Sequence, residues 1–144
     1  MQTQKIKKKK GFTLVEIIVV LVIVAILAAA GIPSLLGFIE SSNSKAYVAE
    51  ARAGYQAVQS VYTEVRLGTG TAPTVNADFQ FTGDALTKLT AYLAPDLVAG
   101  NFQYRFDAAN NTVAAVLYNP KDNTYIRIRP GQPADTYTSA PTTW

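Results

Sequence analysis

The sequence predicts an α+β protein: a long, kinked N-terminal helix, membrane-spanning in its first half, packed on a small antiparallel β-meander. Three observations carry the prediction. The run from Phe12 to Ile39 is apolar and holds one charge, Glu16. The stretch that follows, to Arg66, repeats apolar residues at three- and four-residue steps, the period of one helical face. Between 102 and 129, three short segments of β-forming residues are separated by Asn-rich turns. At 144 residues the chain has room for one domain and an appendage.

Residues 1–11 read as a basic leader, with Lys5, Lys7, Lys8, Lys9 and Lys10 before Gly11 and no acid among them. As a helix, residues 12–39 would extend roughly 42 Å at about 1.5 Å per residue, longer than the ~30 Å hydrocarbon core of a bilayer. The lysines before this span hold the N-terminus on the cytoplasmic side by the positive-inside rule. Glu16 is anomalous there. A carboxylate at the bilayer centre costs about 2.5–3.5 kcal/mol on insertion scales. Near the helix start the cost is lower, because headgroups are close and the helix dipole favours negative charge. Two readings stand: an interfacial acid that reaches out to the headgroups, or an acid matched by a cation in an apolar environment. A new α-amine made by cutting before Phe12 would be such a cation. Gly31, Pro33 and Gly37 then fall within one short stretch, where a proline removes a backbone donor and kinks or ends a helix.

Residues 40–66 read as the amphipathic half of the same helix. Tyr47, Ala51, Gly54, Val58, Val61 and Val65 form the apolar stripe, and Tyr55 and Tyr62 widen it. A helix from Phe12 to Arg66 would be roughly 82 Å long. Gly68, Gly70 and Pro73 end it. Residues 67–101 are predicted as a loop region with one short helix, capped by Asp84, running to Leu93 and burying Leu86, Leu89 and Leu93. The Gly68-Thr69-Gly70-Thr71 run lacks the Lys and Ser/Thr of a phosphate-binding loop. Residues 102–129 are predicted as three antiparallel strands. Phe102, Tyr104 and Phe106 alternate with polar residues, 112–118 is apolar on both faces and therefore central, and Ile126 and Ile128 alternate with Arg127 and Arg129. Asn110-Asn111 and 119–123 are the turns. Pro130, Pro133 and Pro141 predict an irregular tail over 130–144.

Charge and composition exclude several classes. The chain carries 13 basic and ten acidic residues, but five of the lysines lie before Phe12. From Phe12 onward eight basic residues face ten acidic ones, a net of −2, so a nucleic-acid surface is not predicted. With neither Cys nor His, disulfides, thiolate and imidazole metal sites and His-based catalysis are impossible. No carboxylate pair is placed for acid/base chemistry, and neither an enzyme nor a cofactor is predicted. Asp122 and Asp135 are too few for calcium, which takes six to eight oxygens, so no metal is predicted. Asn110-Asn111-Thr112 matches a glycosylation sequon but reads as a hairpin turn. Arg105, Arg127 and Arg129 share the outer face of the sheet and are expected to be solvated.

The run Gly11-Phe12-Thr13-Leu14-Val15-Glu16, followed by the apolar stretch to Gly31-Ile32-Pro33, resembles the prepilin N-terminus of type IV pilins and pseudopilins. The resemblance covers about the first 35 residues and is type IVa-like. It implies the pilin fold, cleavage between Gly11 and Phe12 by a prepilin peptidase, and N-methylation of Phe12. It further implies a pairing of Glu16 with a neighbouring subunit's amine during assembly, and a kink around Gly31, Pro33 and Gly37. The implied partners are identical subunits, the peptidase/methyltransferase, an inner-membrane assembly platform and, before assembly, the membrane. The implied location is the bacterial cytoplasmic membrane as a single-pass precursor, then an extracellular filament for adhesion or motility. The alternatives are a pseudopilin of a type II secretion system, or a competence pilus subunit, for which nucleic acid would be a partner. A third is a secreted or anchored binding domain, cut after Ala28-Ala29-Ala30 or left uncut. The family's C-terminal disulfide is absent, so the chain departs from the pattern common in Gram-negative pilins.

Overall fold

A computed structural model describes residues 11–121 and 123–143, with backbone alone at Ser34. Helix α1 spans Leu14–Thr69 and α2 spans Asp84–Tyr92. After a single 3-10 turn at Ala99–Asn101 come strands β1 (Phe102–Asp107), β2 (Thr112–Lys121), β3 (Thr124–Ile128) and β4 (Asp135–Tyr137). The chain divides into two units, the first ending at Ser42 and the second beginning at Asn43.

The first unit, as described, is α1 up to Ser42. Every side chain described in it is exposed, including Leu14, Leu21, Leu27 and Phe38. Aliphatic residues exposed on all sides of a helix require a cover that the described residues do not supply.

The second unit is an α+β layer. Its sheet has the order β1-β2-β3-β4, all antiparallel, a simple meander in which β2 lies between β1 and β3. The register sets Phe102 opposite Tyr118 and Val116 opposite Ile128. Because side chains alternate between faces, Phe102, Tyr104, Val116, Tyr118, Ile126 and Ile128 share the face that meets α1, and all are buried. From α1 come Ala51, Ala57, Val58, Val61 and Tyr62, and from α2 Ala85, Leu89 and Leu93. Aromatic rings form the middle of this core. Phe81 packs 4.4 Å from Tyr104 and 5.8 Å from Phe106, and Phe106 stacks 4.8 Å from Tyr62. The Phe81 amide donates to the Tyr104 hydroxyl at 2.8 Å, so the ring cluster has no unpaired phenol at that point.

Several details differ from the sequence prediction. The tail is not wholly irregular: Asp135–Tyr137 pairs with β3 as a fourth strand, Tyr125 opposite Tyr137. The prolines at 130, 133 and 141 flank this strand and leave its donors intact. Gly83, not Asp84, holds the position before α2, with no side-chain cap. Leu86 faces solvent, and Ala85 takes its place in the core. Strand β2 runs on to Lys121 through part of the expected turn, with a register shift after Tyr118 where Pro120 lacks a ladder donor. Helix α1 continues past Arg66 to Thr69, where Gly70 adopts a positive φ of 73°.

Candidate functional site

The residues that carry the predicted chemistry lie at the start of α1. Gly11 and Phe12 precede the helix and are exposed, Phe12 to 79%. A Cβ added at Gly11 would meet nothing within 4 Å, so nothing in the described structure obstructs access to the Gly11–Phe12 bond. The leader lysines Lys5 and Lys7 to Lys10 lie outside the described residues.

Thr13 and Glu16 bond reciprocally. The Glu16 amide donates to Thr13 Oγ1 at 3.3 Å, and the Thr13 amide donates to Glu16 Oε2 at 3.5 Å. This is a capping box, in which a Thr before the helix and a Glu three residues on satisfy two otherwise orphaned backbone donors. Thr13 has no predicted role, although the Thr-x-x-Glu spacing at 13–16 is the signal that marks it. The arrangement has a chemical consequence. Glu16 sits in the first turn, where the helix dipole favours its charge, and among the described residues one of its oxygens, Oε2, is engaged. Oε1 has no partner among the described residues and can accept from a cation.

Gly31, Pro33 and Gly37 all lie inside α1. Proline cannot donate, so the Ala29 carbonyl lacks its usual partner at Pro33. Added Cβ atoms at Gly31 or Gly37 would meet nothing within 4 Å. Their smallness therefore serves no contact inside the described chain. Helix α1 contains a continuous apolar stretch, none of it buried among the described residues. It is long and apolar enough to cross a membrane.

The other sequence candidates resolve into structural pairs. Arg127 and Arg129 are not simply solvated: Arg127 donates from Nε and Nη2 to Asp135 Oδ2 at 3.1 and 2.8 Å, and Arg129 from Nη2 at 3.0 Å. Arg127 also lies 5.3 Å over the Tyr137 ring, and Arg105 lies 5.0 Å over Phe79. The Arg127 hydrogen bonds hold the Asp135 carboxyl below the usual carboxylate range, with a further pull from Arg129. Asp135 is thus spent on arginine. Asp122, the other calcium candidate, lies outside the described residues. Among the described residues no three acids, histidines or cysteines gather as metal ligands. At the sequon, the Asn110 amide and side chain both donate to Asp107, which builds the β1–β2 turn.

Comparison with known proteins gives two matches. A family described as "Prokaryotic N-terminal methylation motif" matches residues 6–32. Fimbrial protein Q of Moraxella bovis is 39% identical over 56 residues, which cover 39% of this chain and 36% of that protein. The chain thus matches little more than a third of that relative's length. No solved structure gives a significant match. The order of leader, Gly11, Phe12, Glu16 and apolar helix agrees with the motif match over 6–32: the N-terminal segment of this chain carries the prokaryotic N-terminal methylation motif, and the chain is similar over part of its length to a fimbrial protein.

Proposed function

We propose that this chain is a structural subunit of a type IV pilus, cut between Gly11 and Phe12, methylated at Phe12 and polymerised through the first half of α1. One observation carries the reading: an apolar helix exposed on every side, with a single carboxylate in its first turn. In lipid that surface is covered by acyl chains, and in a filament by the same helix of neighbouring copies. The capping box holds Glu16 at the end of the helix with one oxygen open, where an incoming subunit's α-amine would neutralise it. An unpaired buried carboxylate is costly and a paired one fixes register, so the charge selects one axial step between subunits. Pro33, flanked by Gly31 and Gly37, is where the helix would bend or unwind as copies pack. The filament's uses would be adhesion and motility.

Two variants and a mass spectrum test this. Mass spectrometry of the protein from its native cell is expected to give a chain starting at methylated Phe12. Gly11→Val is expected to block cleavage. Glu16→Val is expected to be inserted and cut normally yet to give few filaments by electron microscopy. Normal filament yield from Glu16→Val would defeat the pairing role, and a chain starting at Gly31 or Met1 would defeat the whole reading.

A further inference from the structure

The sheet carries a second candidate site on the face turned away from α1. Asn101, Gln103, Leu117, Asn119, Tyr125 and Ala140 line a cavity of about 220 Å³. Gln103 and Leu117 are direct partners across β1 and β2. Leu117, although on the outer face, is only 3% exposed and forms an apolar floor. The polar groups around it are half-buried and largely unspent. The side-chain amides of Asn101 and Gln103 and the hydroxyl of Tyr125 have no hydrogen-bond partner among the described residues. Asn119, with its amide oriented to satisfy both ends, directs its NH₂ to the carbonyls of Thr124, at 2.9 Å, and Lys121, and so closes one side of the cavity.

The chemistry of this lining restricts what it can hold. No lining side chain is charged, and the nearby Arg127 is committed to Asp135, so an ionic ligand gains nothing here. Two amides each offer donors and an acceptor side by side, the pattern that adjacent hydroxyls on one ring match. Tyr125, Leu117 and Ala140 offer apolar surface for the C–H face of the same ring. Half-buried amides have already lost part of their hydration, so a ligand that supplies hydrogen bonds gains more there than at an open surface. The volume is below the roughly 300–1,000 Å³ of sites for drug-sized ligands, which suits one ring. We propose that this cavity binds a single neutral pyranose, free or at the end of a glycan. All lining residues lie in the unit beginning at Asn43, so the proposal stands whether or not filament assembly does.

The test uses the full chain in a zwitterionic detergent without a sugar headgroup. Saturation-transfer NMR is run with methyl glycosides of glucose, galactose, mannose and N-acetylglucosamine, then with disaccharides ending in whichever ring responds. At least one glycoside is expected to receive saturation, with a Kd around 1 mM for so few contacts. Gln103→Ala is expected to weaken it roughly fivefold or more, and Tyr125→Phe less than Tyr125→Ala. Gln56→Ala, on α1, is expected to change nothing. Tighter binding of a disaccharide than of its terminal glycoside would mark a glycan end as the natural form, and equal binding a free sugar. Should Tyr125→Ala unfold, Gln103→Ala decides alone. Silence from all four glycosides, or a response that Gln103→Ala leaves intact, overturns the proposal.

Discussion

At Gly54 helix α1 lies directly against the Phe102 ring of β1. A Cβ there would overlap the Phe102 ring, which lies at 0% exposure against α1. Gly54→Ala is expected to destabilise the protein by about 1–3 kcal/mol, as overpacking does, and Phe102→Leu in the same chain to restore part of the loss; midpoints of chemical denaturation would show both. The apolar stripe that contains Gly54 is legible from spacing. The demand for no side chain is not, because it comes from a ring 48 positions away. Tyr118 makes a second prediction. Its hydroxyl donates to Glu50 Oε2 at 2.7 Å, and burial first, then that carboxylate, push the phenol well above its ordinary value. Below the unfolded-state pKa of about 10 both states hold the proton and stability is full. As pH rises above it, the unfolded chain ionises while the folded one resists, so stability falls. Tyr118→Phe is expected to flatten that alkaline limb in denaturation curves taken from neutral pH upward.

Among the elements, β4 shows how tertiary pairing overrides a local signal. A tail with three prolines reads as irregular, yet three residues between them pair with β3 because Asp135 accepts from both Arg127 and Arg129. That partnership spans only six to eight positions, but nothing in the composition of 130–144 announces it. Asp135→Asn is expected to speed amide exchange in 135–137 and to leave β1 and β2 protected. Because the Asp135 carboxyl is held low, its contribution is complete above about pH 4 and lost as pH falls through the depressed value. Amide exchange of β4 across that acid range checks the sign. Helix α2 is tied in a similar way, Glu64 of α1 accepting from Lys88 and from the Tyr92 hydroxyl, the latter at 2.9 Å. Charge alone did not mark Glu64, which sits among polar positions of an amphipathic helix and differs from them only by what faces it.

For the molecule as a whole, the fold class was legible because hydrophobic period changes along the chain: continuous to Ile39, three- and four-residue steps to Arg66, then alternation from Phe102. Each period buries a different kind of surface. The N-terminal candidate site was legible in Gly11, Phe12 and Glu16, whose types and order are unusual. Thr13 escaped because a threonine before a helix has many roles. The cavity beside Tyr125 escaped because it gathers residues from β1, β2, β3 and the tail, which only the register brings together. The buried cluster uses residues from Ala51 onward. A chain starting at Asn43 is therefore expected to be a folded, soluble monomer by sedimentation, with the sheet signature of the full protein, whereas the full chain is expected to require detergent.

The β1–β2 hairpin turns at Asn110 and Asn111, with Asn111 at φ 54° and Asp107 collecting three hydrogen bonds beneath it. The four residues of this tip are exposed and contribute nothing to the buried cluster. An insertion there would lengthen a loop whose closing entropy grows only slowly with length. The hairpin tip is thus a place to carry a foreign epitope or label, and a chain bearing one should be recognised by its antibody while melting near the parent's temperature.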